Sequence, residues 1–283
     1  MNYQLRAVFL FFFTCSFIFS NAQTSSSKGK LFIIGGGEKP ASMIKRIIKE
    51  ADMKPGGYAV ILPMSSEDPG GAISGVREQF GEEGLTQIYG AMFTKDQLND
   101  QKKLDSVSNA GLIYISGGDQ TRFMKLVEGT KLEKAIYRAF EKGTLIAGTS
   151  AGAAMMSEIM ITGNQLKDTS YKATFKTIAP GNIETKKGLG LLKNVVIDQH
   201  FVIRSRHNRL ITAILQFPET VGIGIDESTA ILVKGNEVEV VGMSQVLVFR
   251  NPEKSQKSFD GKYGARGLIL DIYLPGEKFK IGK

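Results

Sequence analysis

Between Lys30 and Thr149 short, largely apolar runs alternate with longer segments whose apolar residues recur at helical spacing. The apolar runs are Lys30–Ile34 ending in Gly35-Gly-Gly37, Tyr58–Leu62 ending at Pro63, Leu85–Ala91, Leu112–Ile115 ending in Ser116-Gly-Gly118, and Leu145–Ala147. Between them, 41–53 carries apolar residues at 43, 44, 47 and 48, and helices are also expected over 72–83, 97–110, 119–128 and 131–142. A strand apolar on both sides must be covered on both sides, and β–α–β crossovers achieve this by laying helices over each face of a parallel sheet. The sequence therefore predicts an α/β fold, a mostly parallel sheet sandwiched by helices. Residues 160–187 break the rhythm and read as a loop or small hairpin. A strand at 194–200 and a helix over 204–216 follow. From Val221 four short strands separated by turns, 221–226, 229–233, 238–241 and 246–249, predict an antiparallel C-terminal edge on the same sheet. No linker composition interrupts 30–283, which is expected to be a single domain.

The first 22 residues stand apart. Arg6 precedes an apolar stretch from Ala7 to Phe19, and Ser20-Asn-Ala22 supplies small residues for cleavage, the layout of a secretory signal peptide. Residues 23–29 form a polar spacer. A lipoprotein signal using Cys15 is the weaker alternative, because Thr14 precedes that cysteine and the apolar run continues beyond it. Export to the periplasm or medium is expected, with no membrane attachment after cleavage. Cys15 is the chain's one cysteine, so the mature protein has no thiol, which excludes a cysteine nucleophile and cysteine metal ligands. The formal charge of +8 is dispersed among acidic residues rather than clustered, which supports anionic ligands weakly and nucleic acid not at all.

In open α/β sheets ligands bind beyond the carboxyl ends of the strands. The residues gathered there are Gly35-Gly-Gly-Glu38, Ser65-Ser-Glu67, Gly117-Gly-Asp-Gln120, Ser150, Asp198-Gln-His200 and Asp226-Glu227. Ser150 lies in Gly148-Thr-Ser-Ala-Gly152, between an apolar strand and a helix start, the pattern of a nucleophile elbow. A serine hydroxyl needs a base, and His200 and His207 are the two histidines of the chain. His200 ends a strand and is preferred as the base; His207 reads as a solvated helix residue. Glu227 is the first choice for the acid that orients the imidazole, with Asp168 second, while Asp198 and Asp226 read as supporting or ion-pairing groups. The N–H of Ala151 would supply one oxyanion donor, and that of Gly118 or Asp119 the other. Arg204, Arg206 and Arg209 begin just past His200, where arginines can clamp a carboxylate, though a solvated helix face explains them equally well. Gly35-Gly-Gly37 lacks the Lys-Ser/Thr of a P-loop and the spacing of a dinucleotide fingerprint. No cofactor and no metal is expected.

Gly148-Thr-Ser-Ala-Gly-Ala153, Gly117-Gly-Asp-Gln120, Asp198-Gln-His-Phe201 with its trailing arginines, and Gly224-Ile-Asp-Glu-Ser-Thr-Ala230 together resemble the cyanophycinases. These are serine exopeptidases of the peptidase family that includes peptidase E, the aspartyl dipeptidase. The resemblance spans about Lys30 to Phe249. It implies a fold similar to class I glutamine amidotransferases, a homodimer, and hydrolysis of cyanophycin, a poly-aspartate bearing arginine on its side chains, to β-Asp-Arg dipeptides. By motif it implies Ser150 as nucleophile, His200 as base and Glu227 as acid. It implies that Gln120, Asp198, Gln199, Arg204, Arg206 and Arg209 line the substrate site. The alternatives are an aspartyl or isoaspartyl dipeptidase of the same family and a non-catalytic envelope protein binding peptide or glycan on this scaffold.

Overall fold

The computed structural model describes residues 29–167, 169 and 174–282. Residues 1–28 and Asp168 lie outside them, as do the expected signal peptide and the second-choice acid. The centre is a run of parallel strands, β1 (Lys30–Ile34), β2 (Ala59–Leu62), β3 (Ile88–Gly90), β4 (Leu112–Ile115) and β5 (Leu145–Thr149), lying side by side in the order β1-β5-β4-β2-β3. Helices α1 (Ala41–Ala51), α2 (Pro69–Glu82), α3 (Gln101–Ser108), α4 (Gln120–Val127) and α5 (Lys131–Glu141) make the crossovers, and α6 (Ala151–Ala154) follows β5 directly.

Strand periodicity sorts the apolar residues between two cores. Phe32 and Ile34 point with Ile61, Leu112 and Tyr114 towards Met43, Ile44 and Ile47 of α1 and Phe80 of α2. Leu31 and Ile33 point the other way, with Val60, Ile113 and Ile146, towards Leu104 of α3, Phe123 of α4 and Ile136 of α5. Each fully buried side chain of this size contributes about 1.5–3 kcal/mol. Local signals fix where the helices start. Asp68 accepts the Gly71 N–H at 2.9 Å ahead of Pro69, and Asp119 accepts the Thr121 N–H at 2.7 Å. Thr130 accepts from the Glu133 N–H at 3.4 Å while the Glu133 carboxylate accepts from the Gly129 N–H at 2.8 Å.

The excursion after α6 is a hairpin, β6 (Ile159–Gln165) with β7 (Ile183–Lys187), and β8 (Val195–Gln199) and α7 (His207–Gln216) come next. The rest of the chain is β9 (Val221–Ile225), β10 (Thr229–Lys234), β11 (Glu237–Gly242), β12 (Val246–Arg250), β13 (Lys257–Phe259), β14 (Lys262–Gly264), β15 (Ile269–Tyr273) and β16 (Lys278–Lys280). The expected antiparallel edge is present, since β10 pairs with β1 and then β11 and β16 extend the sheet outward.

Two details differ from the sequence expectation. First, β9 and β12 do not join that edge; with β8 and β15 they form a separate sheet, ordered β15-β12-β9-β8. One face of it contributes Val195, Ile197, Ile223, Ile225 and Val246 to the core that contains Leu31 and Ile33. Its other face, with Val196 and Phe249, packs on Leu210, Ala213 and Ile214 of α7. A short strand apolar on both faces satisfies either sheet, so its pattern does not say which one it joins. Second, α7 starts at His207 instead of Arg204, because 201–206 are turns and Ser205 has a left-handed φ of 49°.

Candidate active site

Ser150 occupies the one-residue corner between β5 and α6 with φ 54° and ψ −108°, a strained conformation that side-chain-bearing residues rarely adopt. Its N–H is held by the Ile34 carbonyl at 3.0 Å. The corner is this tight because its glycines let the backbones meet. A Cβ on Gly148 would sit 2.5 Å from the Gly152 carbonyl oxygen, and a Cβ on Gly152 would sit 2.4 Å from that of Ile115. Residues 117–118 abut the serine from the end of β4: a Cβ on Gly117 would lie 3.4 Å from that of Ser150.

His200 comes from the second sheet. It follows β8 with φ 48°, donates its backbone N–H to the Gly35 carbonyl at 2.7 Å, and thereby ties the end of β8 to the end of β1. The imidazole lies on Gly36, where a Cβ would be 2.3 Å from Cε1. Glu227 comes from the turn in which the chain leaves the second sheet at β9 and enters the first at β10. Because β10 is antiparallel to β1, it begins where β1 ends, with Ala230 opposite Ile34. Three segments from two sheets thus meet at one point. His200 Nδ1 lies 2.5 Å from Glu227 Oε1, and Nε2 lies 2.9 Å from Ser150 Oγ. With the Nδ1 proton donated to the carboxylate, Nε2 is the neutral acceptor facing the serine hydroxyl.

Burial pushes the His200 pKa below its ordinary 6.5; the hydrogen bond to Glu227 opposes this, and the positive charges of Arg204 and Arg206 reinforce it. The imidazole is therefore neutral at neutral pH, the state required of a base. We expect kcat/KM to hold through neutral pH and to fall only below pH 6.5, with an acid-limb pKa beneath that of free histidine. An acid limb centred above the free value would contradict the geometry. The stability consequence has a fixed sign. Between the folded and unfolded pKa values the unfolded chain binds more protons, so this contribution is complete above about 6.5 and is lost as pH falls through that window.

For the oxyanion donors the structure separates two candidates. The Asp119 N–H is engaged by the Ser65 carbonyl at 2.8 Å. Among the described residues the Gly118 N–H has no such acceptor, nor does that of Ala151, the first residue of α6. Ser65 also donates its hydroxyl to the Ser116 carbonyl at 2.7 Å, so the end of β2 braces the 117–118 turn; its position directly after an apolar strand was the sequence signal for this.

The residues expected to line the substrate site divide by burial. Asp198, Arg206 and Arg209 are 1 %, 3 % and 2 % exposed. The Arg209 guanidinium grips both Asp198 carboxylate oxygens, with Nε to Oδ2 at 2.8 Å. Arg206 Nη1 donates to the Gln199 carbonyl at 2.6 Å and to its side-chain oxygen at 2.5 Å. The Gln120 amide donates to the Ile161 and Thr162 carbonyls of β6 at 2.8 and 2.9 Å. These buried groups have protein partners: Arg206 and Arg209 brace the end of β8, and Gln120 ties the start of α4 to β6. Arg204 is different: its side chain is 42 % exposed and its Nη2 is 3.9 Å from Glu227 Oε1. His207 is not simply solvated, for its ring packs edge-on against Phe201 at 5.0 Å between centroids.

A parallel α/β sheet with a serine at a strand-to-helix elbow, and a histidine and a carboxylate in line behind it, has the layout of a serine hydrolase. The model of peptidase family S51 matches residues 31–241; the chain belongs to this family and is a serine-type peptidase. A cyanophycinase of Trichormus variabilis is 29% identical over 270 residues, covering 90% of this chain and 87% of the relative. A cyanophycinase of Geminocystis herdmanii is 31% identical over 230 residues, 78% of this chain and 80% of the relative. Among solved structures, a peptidase from an acI-B1 Actinobacterium superposes with a TM-score of 0.66 at 22% identity, covering 91% of this chain and 98% of that one. The fold is the class I glutamine amidotransferase-like arrangement that the motifs implied.

Proposed function

We propose that this peptidase is an exopeptidase of cyanophycin, releasing β-Asp-Arg dipeptides through an acyl-enzyme on Ser150. The observation that carries the reading is the line from Ser150 through His200 to Glu227, at 2.9 and 2.5 Å. Ser150 Oγ attacks the aspartyl carbonyl while His200 Nε2 takes its proton. The oxyanion develops towards the Gly118 and Ala151 N–H groups, and Glu227 stabilises the imidazolium. His200 then gives the proton to the leaving amine, and water repeats the sequence to free the acyl group. The substrate class is supported by the cyanophycinase relatives and by Arg204, an exposed cation beside the triad suited to a substrate carboxylate. We further propose an exported homodimer whose signal peptide is removed, so that it scavenges polymer released by other cells. No helix among the described residues is long and apolar enough to cross a membrane.

The test is a substrate panel. The mature protein is incubated with cyanophycin, with Asp-X dipeptides and with β-Asp dipeptides, and products are identified by mass. Release of β-Asp-Arg from the polymer, unchanged by EDTA, is the expected result. Turnover of Asp-X alone would assign an aspartyl dipeptidase instead, and no turnover on any of the three would favour a binding protein.

A further inference from the structure

His200 and Glu227 stand on separate turns, and their own hydrogen bond is not the only tie between those turns. The Asp226 carboxylate, on a residue only 7 % exposed, reaches across from the Glu227 turn to the segment after His200. Its Oδ1 accepts the backbone N–H groups of both Val202 and Ile203 at 3.0 Å. Its Oδ2 accepts the Ser244 hydroxyl at 2.8 Å, and Ser244 lies in the turn ahead of β12. The Asp226 N–H donates in turn to the Gln245 carbonyl at 3.3 Å. Without this carboxylate the turn after His200 is anchored by the Phe201 N–H on the Ile225 carbonyl at 3.2 Å, by the Thr174 hydroxyl on the Arg204 carbonyl at 3.2 Å and by its internal bonds. Those bonds leave the 202–203 amides facing Asp226 with no other acceptor among the described residues.

Both turns need such a tie. His200 and Ser228 each hold a left-handed φ, 48° and 53°, conformations that persist only where surrounding contacts over-determine them. We propose that Asp226 is a positioning residue: by bonding the 202–203 amides it fixes the His200 turn against the Glu227 turn and so sets the alignment of imidazole, carboxylate and Ser150. This rests on the triad reading above. Displacement of a catalytic group by about 1 Å can cost on the order of a hundredfold in rate, so a clamp one residue from the acid has leverage out of proportion to its distance.

The experiment uses the full mature chain and a fluorophosphonate that acylates serine hydrolases, so that it does not depend on the substrate assignment. Asp226→Ala, Asp226→Asn and Ser244→Ala are compared with wild type for labelling rate against pH, and for kcat and KM normalised to labelled sites. Asp226→Ala is expected to lose roughly tenfold to a hundredfold in labelling rate and kcat, with KM changed little. Asp226→Asn keeps an oxygen for both amides and an N–H₂ for Ser244, so it should return to within about threefold of wild type. Ser244→Ala, which removes the brace on Oδ2 alone, should fall between them. His200 is faced by Glu227, Arg204 and Arg206, and loosening the Glu227 contact should move the acid limb of the Ala variant to lower pH. An Ala variant whose labelled sites turn over at the wild-type rate with an unmoved acid limb would overturn the proposal, as would an Asn variant as impaired as Ala. If Asp226→Ala does not fold, the Asn and Ser244 variants decide. Failure of the triad reading shows separately, as a wild type that turns over substrate without being labelled at Ser150.

Discussion

Replacing Ser150 by alanine is expected to lower kcat by roughly a million-fold, the order found when a triad nucleophile is removed. The residual rate, about 10³–10⁴ over the uncatalysed reaction, would come from oxyanion donors and binding alone. The substitution isolates chemistry from folding. Serine and alanine both carry a Cβ, so the strain at φ 54° is the same in each. The N–H bond to the Ile34 carbonyl belongs to the backbone and remains. Thermal unfolding should therefore be nearly unchanged while turnover vanishes, and KM or inhibitor affinity should persist. His200→Ala should lose a comparable factor. A Ser150→Ala preparation that kept even a hundredth of the wild-type rate, after exclusion of contaminating peptidase, would end the nucleophile assignment.

The second large effect is on stability. Arg209→Met should destabilise the fold by about 3–5 kcal/mol, the usual cost of stranding one partner of a buried ion pair. Asp198 is 1 % exposed and would lose the fork that grips both its oxygens. What remains is the Gln199 N–H at 2.8 Å and Arg206 Nη1 at 3.8 Å. For a chain of this size the loss corresponds to a fall in Tm on the order of 6–20 °C. Adding Asp198→Leu to the same chain should recover part of it, since an apolar pair carries no desolvation penalty. Melting curves of the single and double variants check this; a single variant within 1 °C of wild type would show that the pair is not buried as described. The same side chains could pass for a substrate clamp in sequence, and the two readings predict different things. A clamp would raise KM and leave Tm alone.

The parallel core was legible because its strands are largely apolar on consecutive residues and the segments between them carry apolar residues at helical spacing. The elbow was legible for a related reason: Gly148 and Gly152 mark places where only a hydrogen fits, and short-range geometry is written in adjacent residues. His200 followed from scarcity, with two histidines in the chain. The arginines were harder. Arg204, Arg206 and Arg209 look alike in sequence, yet one is 42 % exposed beside Glu227 and the other two are sealed against Gln199 and Asp198. Spacing along a chain of turns does not encode which side faces inward when the helix begins three residues later than its pattern suggests.

By itself, the sequence determined the α/β class, the strand-to-helix corner that holds Ser150, and the identities of the residues available to act on it. Only the tertiary structure decided how they meet. β8 and β9 sit in a second sheet, so His200 and Glu227 approach Ser150 from outside the sheet that carries it, and Asp119 loses its free N–H to Ser65. The triad contacts join residues 50 and 27 positions apart in the chain, and the Asp119–Ser65 bond likewise spans distant segments. A side chain's type and its near neighbours fix local conformation, whereas the partner it meets across the fold is set by the packing of all the layers at once.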